Sequence, residues 1–426
     1  MAGHAVRYRS DPDLLRGSQY TILLASAPGE THMFGPSLLA DQFTDAGWSV
    51  EMVFPTSNEA LLHQLLHSPA DAVDYAMQLP GAQHSLLLDI AAAGERLVAV
   101  GERGHILVSD DAGDSWRQVE VPTTAMLTRV FFVDEDRGWA VGHDGNILHS
   151  HDGGLSWSLQ RDGIAEQVPL NEARTGRALA RVEALEAELA AAVETEQEDL
   201  ELALEDARWA LEQARDVMDA PVYAPPLMDV WFASDQQGWA SGAYGTLLHT
   251  ANGGRQWTDW SHKVDNPEEL HLNGVVGDGR GTLYLASEWG AVFVSTSAGE
   301  AWEELATGYE GSFFGIIANP ETGTVLPYGL LGTIYRSTDQ GQTWQATDSG
   351  VSASLFGADY SDGALIFVGQ GGTATVSHDD GASFQAMIQT RRDGLYGVVA
   401  AGAGRYVAAG QGGSRLLRAN RQGGDS

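Results

Sequence analysis

The sequence predicts a mainly β protein: a seven-bladed β-propeller with an inserted α-helical hairpin and a small N-terminal βαβ segment. Three observations predict it. An eight-residue stretch ending on an aromatic recurs six times, and a glycine-paired stretch that precedes it recurs seven times. The rhythm is absent from two places only, an Ala/Leu/Glu-rich insert and the first seventy residues.

The eight-residue stretch is "SDDAGDSW" (109–116), followed by "SHDGGLSW" (150–157), "TANGGRQW" (250–257), "STSAGEAW" (295–302), "STDQGQTW" (337–344) and "SHDDGASF" (377–384). Its aromatic ends lie 40 to 45 residues apart, except for one interval of 100 that contains the insert. A crowd of carboxylates invites a metal or catalytic reading, but calcium loops need alternating oxygen ligands and a closing Glu, which no copy has. A turn explains the residues better. Asp111, Asp152, Asp339 and Asp379, with Asn252 in the same place, accept hydrogen bonds from backbone N–H groups just ahead. Glycine supplies positive φ, and the aromatic packs back on the sheet.

The second stretch reads "GERGHILVS" (101), "GHDGNILHS" (142), "GAYGTLLHT" (242), "SEWGAVFVS" (287), "GLLGTIYRS" (329), "GQGGTATVS" (369) and "GQGGSRLLR" (410). With an apolar run such as "RVFFV" (129–133) ahead of it and a Trp-started strand behind, each unit spells four short strands. Four strands every forty-odd residues are the mark of a propeller blade. The seventh unit ends without its outer strand, so "VDYAMQLPGA" (73–82) is expected to supply it, with Val73–Leu79 pairing to the C-terminal strands.

The pattern resembles the Asp-box (BNR) repeat, and over residues 70–426 it is similar to the photosystem II assembly and stability factor family of propellers. That resemblance implies a non-enzymatic scaffold that assists assembly or stability of a membrane protein complex, or a transporter-associated role in a non-photosynthetic bacterium. It implies partners among such complexes or their assembly intermediates. Relatives of this kind are usually exported, to the periplasm or a lumen, whereas no signal peptide is recognisable here and the chain as written would be cytoplasmic.

Sialidases also carry Asp-boxes, so a glycan hydrolase or glycan-binding propeller is the enzyme-side alternative. It needs an arginine cluster and a Tyr–Glu pair at the axis. Aligning the inner strands instead puts Asp89, Arg129, Asp229, Gly274, Gly315, Gly357 and Gly397 at one level, which leaves little catalytic equipment. The acids and Arg129 are expected to pair with one another or to meet a partner. Phe314, Phe356 and Tyr396 precede the glycines and are candidates for an aromatic interaction patch.

Residues 170–218 form the insert between blades 2 and 3. Apolar residues at Leu179, Val182, Leu185, Leu189 and Val193, then at Leu200, Leu204, Ala207, Leu211 and Val217, have helical spacing. A single helix would run about 67 Å, too far for two ends that return to adjacent blades, so a hairpin is expected. Thr195 and Glu198 fit a capping box, and Trp209 is a candidate docking residue. Thirteen acidic and five basic residues make the insert strongly negative.

Residues 1–68 have another grammar. "YTILLASAPGETHMFGPSLLADQFTDAGWSVEMVF" (20–54) reads as strand, helix, parallel strand. Its loop, Glu30-x-His32-x-x-Gly35, resembles the Asp-x-His-x-x-Gly loop of cobalamin-binding domains. The resemblance implies that His32 would ligate cobalt with Glu30 in support, and a cobalamin-dependent sensor is the second alternative. Only about fifty residues resemble that domain, too few for its full sheet, so no cofactor is expected for the chain as a whole.

Bulk composition limits the partners. With 24 basic and 58 acidic residues the net charge is −34, which repels nucleic acid and anionic membrane surfaces. No cysteine is present, which removes disulfides and thiolate chemistry, and no apolar run is long enough for direct membrane insertion.

Overall fold

The computed structural model describes residues 75–418 apart from 194–196, 221, 362 and 403, together with the backbone of three N-terminal strands. Those strands form one small sheet: Ala5–Ser10 runs antiparallel to Tyr20–Ala25, which runs parallel to Ser49–Val53. His32, Glu30 and Gly35 lie outside the described residues.

The remainder is a ring of seven blades. Among the described residues six have four antiparallel strands and the last has three, Leu395–Ala400, Arg405–Gly410 and Gly413–Arg418. The seven inner strands, from Leu87–Ala93 to Leu395–Ala400, each pack on the next, and the last packs on the first. The core is therefore a series of clusters between blades. Trp239, Leu285 and Phe293 lie in one such cluster, and Leu97, Leu107 and Val407 join the first and last blades in another.

Six turns of one type, four of them built on aspartate, knit these layers. In the first, Asp111 Oδ1 accepts the Ser115 N–H at 2.8 Å while Ser109 Oγ accepts the Gly113 N–H at 2.8 Å. Asn252 accepts the Gln256 N–H at 3.0 Å in the same way, and Ser297 Oγ accepts that of Ala301 at 3.0 Å. Hydrogen bonds from Ser115 and Ser383 hold the Asp111 and Asp379 carboxyls at about 2, well below the usual carboxylate range. The turn glycine does two jobs. Gly113 has φ +87°, and a Cβ there would stand 2.8 Å from Val407 Cγ2 of the last blade. Gly154 meets Val98 and Gly381 meets Leu326 in the same fashion, so every described turn of this type rests on the blade before it. An ion pair at 3.4 Å between Arg405 and Asp114, 291 residues apart, reinforces the closing seam.

The seam differs from the sequence expectation. Among the described residues, 75–79 form no strand. Leu79 N–H donates to Gln118 Oε1 at 2.9 Å and the Gln78 amide to the Val119 carbonyl at 3.1 Å, which places Gln78 and Leu79 against blade 1. Pro80 then lacks a donor for a ladder and Gly81 turns the chain with φ +98°. The C-terminal strand meets the short 3-10 turn Ala82–His84 instead, at Gly413, where a Cβ would overlap the Gln83 carbonyl.

Between blades 2 and 3 the chain forms α1 (Gly163–Ala191) and α2 (Gln197–Asp219). α1 starts earlier than the apolar periodicity suggests because Asp162 caps it, accepting the Ala165 N–H at 3.0 Å. The helices pack through Val182, Leu185, Leu204 and Leu211, with Ala178 in the seam rather than Leu179, which is exposed. Arg174 and Arg177 both reach Asp259 at the outer edge of blade 3, at 3.3 and 3.4 Å, and fix the base of the hairpin. Trp209 is 65% exposed on α2.

Candidate functional site

The axis of the ring is built from one repeated irregularity. In every blade the pairing of inner strand to second strand skips one residue, as between Leu127 and Arg129 or Leu355 and Gly357. The skipped residues are Leu88, Thr128, Met228, Asn273, Phe314, Phe356 and Tyr396, all half-buried around one mouth of the channel. Thr128 Oγ1 donates to the Leu227 carbonyl of the next blade at 2.7 Å, and Asn273 does the same to Phe313 at 2.7 Å. Phe314, Phe356 and Tyr396 instead stack in a row, with ring centroids 5.6 and 5.5 Å apart.

One step deeper lie Asp89, Arg129 and Asp229, which the structure brings together. Arg129 Nε is 2.9 Å from Asp229 Oδ1 and 3.6 Å from Asp89 Oδ2. Each acid also reaches the following blade: Asp89 accepts the Val130 N–H at 3.0 Å and Asp229 that of Val275 at 2.9 Å. Tyr328 from blade 5, absent from the sequence reading, adds its hydroxyl to Arg129. Its place in the second strand of blade 5, "LPYGL", gave no periodic signal that it faces the axis.

Two buried carboxylates share one guanidinium. Burial pushes the Asp89 carboxyl up to about 6 against the pull of Arg129, and raises Asp229 as well. Burial works against the Arg129 charge, but Asp229 and Asp89 outweigh it and raise its pKa. Burial also pushes Tyr328 up to about 12.

In the other four blades the same level is glycine, and close approach is the reason. A Cβ at Gly357 would overlap the Tyr396 carbonyl oxygen, and one at Gly397 would stand 2.6 Å from Asp89 Oδ1. Beyond this level the channel widens into a cavity of about 450 Å³ lined by the Asp89–Arg129–Asp229 group, Tyr328, Asp359 and the aromatics Phe131, Trp231 and Tyr360. Asp359 accepts the Ala400 N–H at 2.9 Å. Among the described residues no cluster of three or more His, Asp or Glu is placed to hold a metal, and no helix is long and apolar enough to cross a membrane.

The bulge mouth is flanked by the turns between second and third strands, whose N–H groups tie back to the start of the inner strand: Glu102 to the Leu86 carbonyl, Gln370 to that of Ser354. In every blade but the fourth, where Ser287 stands, this turn opens on a glycine whose Cβ would overlap that carbonyl, as at Gly101 and Gly369.

The family described as photosynthesis system II assembly factor YCF48 matches residues 108–174 and 209–363, more than half of the chain. The chain belongs to that family. The match omits residues 175–208, most of the hairpin. A curated relative, the photosystem II assembly lipoprotein Ycf48 of Synechococcus sp. (strain CC9902), is 34% identical over 77 residues, 18% of this chain and 22% of that protein. The aligned part thus spans about a fifth of that relative's length. A solved structure described as YCF48 bound to D1 peptide superimposes with a TM-score of 0.53 at 16% identity, covering 82% of this chain and 96% of its own. YCF48 from Cyanidioschyzon merolae gives 0.52 at 16% identity, covering 81% and 98%. At that identity the solved structures establish the shared propeller fold.

Proposed function

We propose that this family member is a non-enzymatic scaffold that assists assembly or stability of a membrane protein complex by holding a segment of one subunit, or an assembly intermediate, at the surface of the ring. Membership of the assembly-factor family, carried by more than half of the chain, is the observation on which this rests. That one solved relative is described as bound to a D1 peptide supports a photosystem II subunit as the client. The axis supports a binding rather than a catalytic role. Its carboxylates are committed to Arg129 and to backbone N–H groups of the next blade, and glycines fill the remaining places at that level.

The test is titration of the purified chain with a D1 peptide and with photosystem II assembly intermediates, read by fluorescence anisotropy and co-sedimentation. Saturable micromolar binding to either is expected. Failure to bind both, or turnover of a fluorogenic sialoside, overturns this reading.

A further inference from the structure

We propose that the turn apices of blades 3, 4 and 5 form one docking surface for an extended protein segment that carries both apolar and basic side chains. The inference rests on the client-binding reading above and names where and how the client is held.

In blades 1 to 6 the residue directly before the last glycine of the turn between second and third strands sits in left-handed backbone. The positions are Arg103, Asp144, Tyr244, Trp289, Leu331 and Gly371, with φ between 53° and 66°. Gly371 and Asp144 are residues suited to that conformation. Tyr, Trp and Leu are not, and yet three consecutive blades carry them. Nor does burial compensate, because Tyr244 is 52%, Trp289 65% and Leu331 70% exposed. Large apolar side chains that are both conformationally disfavoured and open to water, grouped on neighbouring blades of one face, mark an interaction surface rather than a packing requirement.

Charge identifies the partner. Each apolar apex lies beside the linker that leads into the following blade, and these linkers are acidic. Gly245, next to Tyr244, approaches the backbone of Glu269, whose neighbour is Glu268; Gly290, next to Trp289, meets Tyr309, followed by Glu310. Gly332, next to Leu331, packs on Ser349, preceded by Asp348. At blade 6 the balance shifts: the apex is Gly371, and the linker beside it, at Gly372, carries Arg391 and Arg392, with Asp393 paired to Arg391 and Arg415. Apolar apices and carboxylates therefore occur together, which favours a segment alternating apolar and basic residues over an acidic segment or an anionic bilayer.

The experiment uses the full chain and a fluorescent synthetic peptide of alternating Leu/Phe and Lys. A triple variant Tyr244→Gly, Trp289→Gly, Leu331→Gly is compared with the double variant Arg103→Gly, Asp144→Gly, which makes the same backbone change on the same face without removing an apolar apex. We expect the triple variant to bind the peptide at least tenfold more weakly while its melting temperature holds or rises, and the double variant to bind like the unaltered chain. The Glu/Asp counterpart of the peptide and vesicles with anionic headgroups are expected not to bind. The inference is overturned if the triple variant keeps its affinity, if the unaltered chain ignores the basic peptide, or if the acidic peptide or the vesicles bind equally well. Should the triple glycine chain fail to fold, the triple Asn variant, which also tolerates left-handed backbone, decides by the same readout. Undiminished binding of a D1 peptide by the triple variant would move the docking face and leave the scaffold reading intact. Failure of the unaltered chain to bind either a D1 peptide or the assembly intermediates would sink that reading by itself.

Discussion

The two halves of the ring solve the same problem at the axis by opposite means. In blades 1 to 3 the inner strands are bridged by Asp89, Arg129 and Asp229, whose side chains cross to the next blade and end on its N–H groups or on one another. In blades 4 to 7 the level holds Gly274, Gly315, Gly357 and Gly397: at Gly274, Gly357 and Gly397 the backbone of the next blade comes close, and at Gly315 the Tyr328 ring takes the space. A seven-fold repeat does not demand seven copies of one contact. It demands only that every interblade gap be filled, by a side chain with its polar atoms satisfied or by no side chain at all. The polar solution brings a pH dependence with it, whereas the glycine solution brings none.

Three substitutions sharpen the contrast, taken from the largest expected effect to the smallest. Arg129→Met leaves Asp89 and Asp229 buried without their cation and is expected to cost about 3–5 kcal/mol in urea unfolding at pH 8. The loss should shrink toward pH 4, where both carboxylates accept protons. Asp89→Asn keeps the shape and removes the charge. The Asp89 pKa is raised from 3.8 to about 6 on folding, so its contribution is fully present below pH 4 and lost as pH rises through 6. The variant should therefore gain on the unaltered chain between pH 4 and 7, by up to about 3 kcal/mol; a pH-independent difference would show that Asp89 is not held as described. Gly357→Ala, in the other half, forces a Cβ against the Tyr396 carbonyl and should cost about 2 kcal/mol with no dependence on pH.

How much of this was legible in the residues alone follows from the range of the forces. The aspartate turns are local: Asp111 and Ser115 are four apart, so the sequence displays the whole hydrogen-bonded unit, and counting the units gives the ring. The helical hairpin was legible for the same reason, although its seam shifted to Ala178 once a partner helix chose the face. Closure was not, because the pairing of Ala82–His84 with Gly413 lies between the two ends of the propeller and no local pattern encodes it. At the axis the shared level of Asp89, Arg129 and Asp229 was visible in the alignment of inner strands, but Tyr328 was hidden in another blade's second strand. The strained apices carry a local signal. Tyr, Trp and Leu stand directly before the last glycine in "GAYG", "SEWG" and "GLLG", where the related turns carry Arg, Asp or Gly.

The contact between Gly113 and Val407, with the Arg405–Asp114 pair beside it, sets an order in time. Blade 1 emerges from the ribosome first, yet its aspartate turn has no seat until a residue some 291 positions later has been made. Every other blade finds its support already synthesised. The first blade must wait with one flank bare, and a partner that covers newly made chain would be needed there before anywhere else.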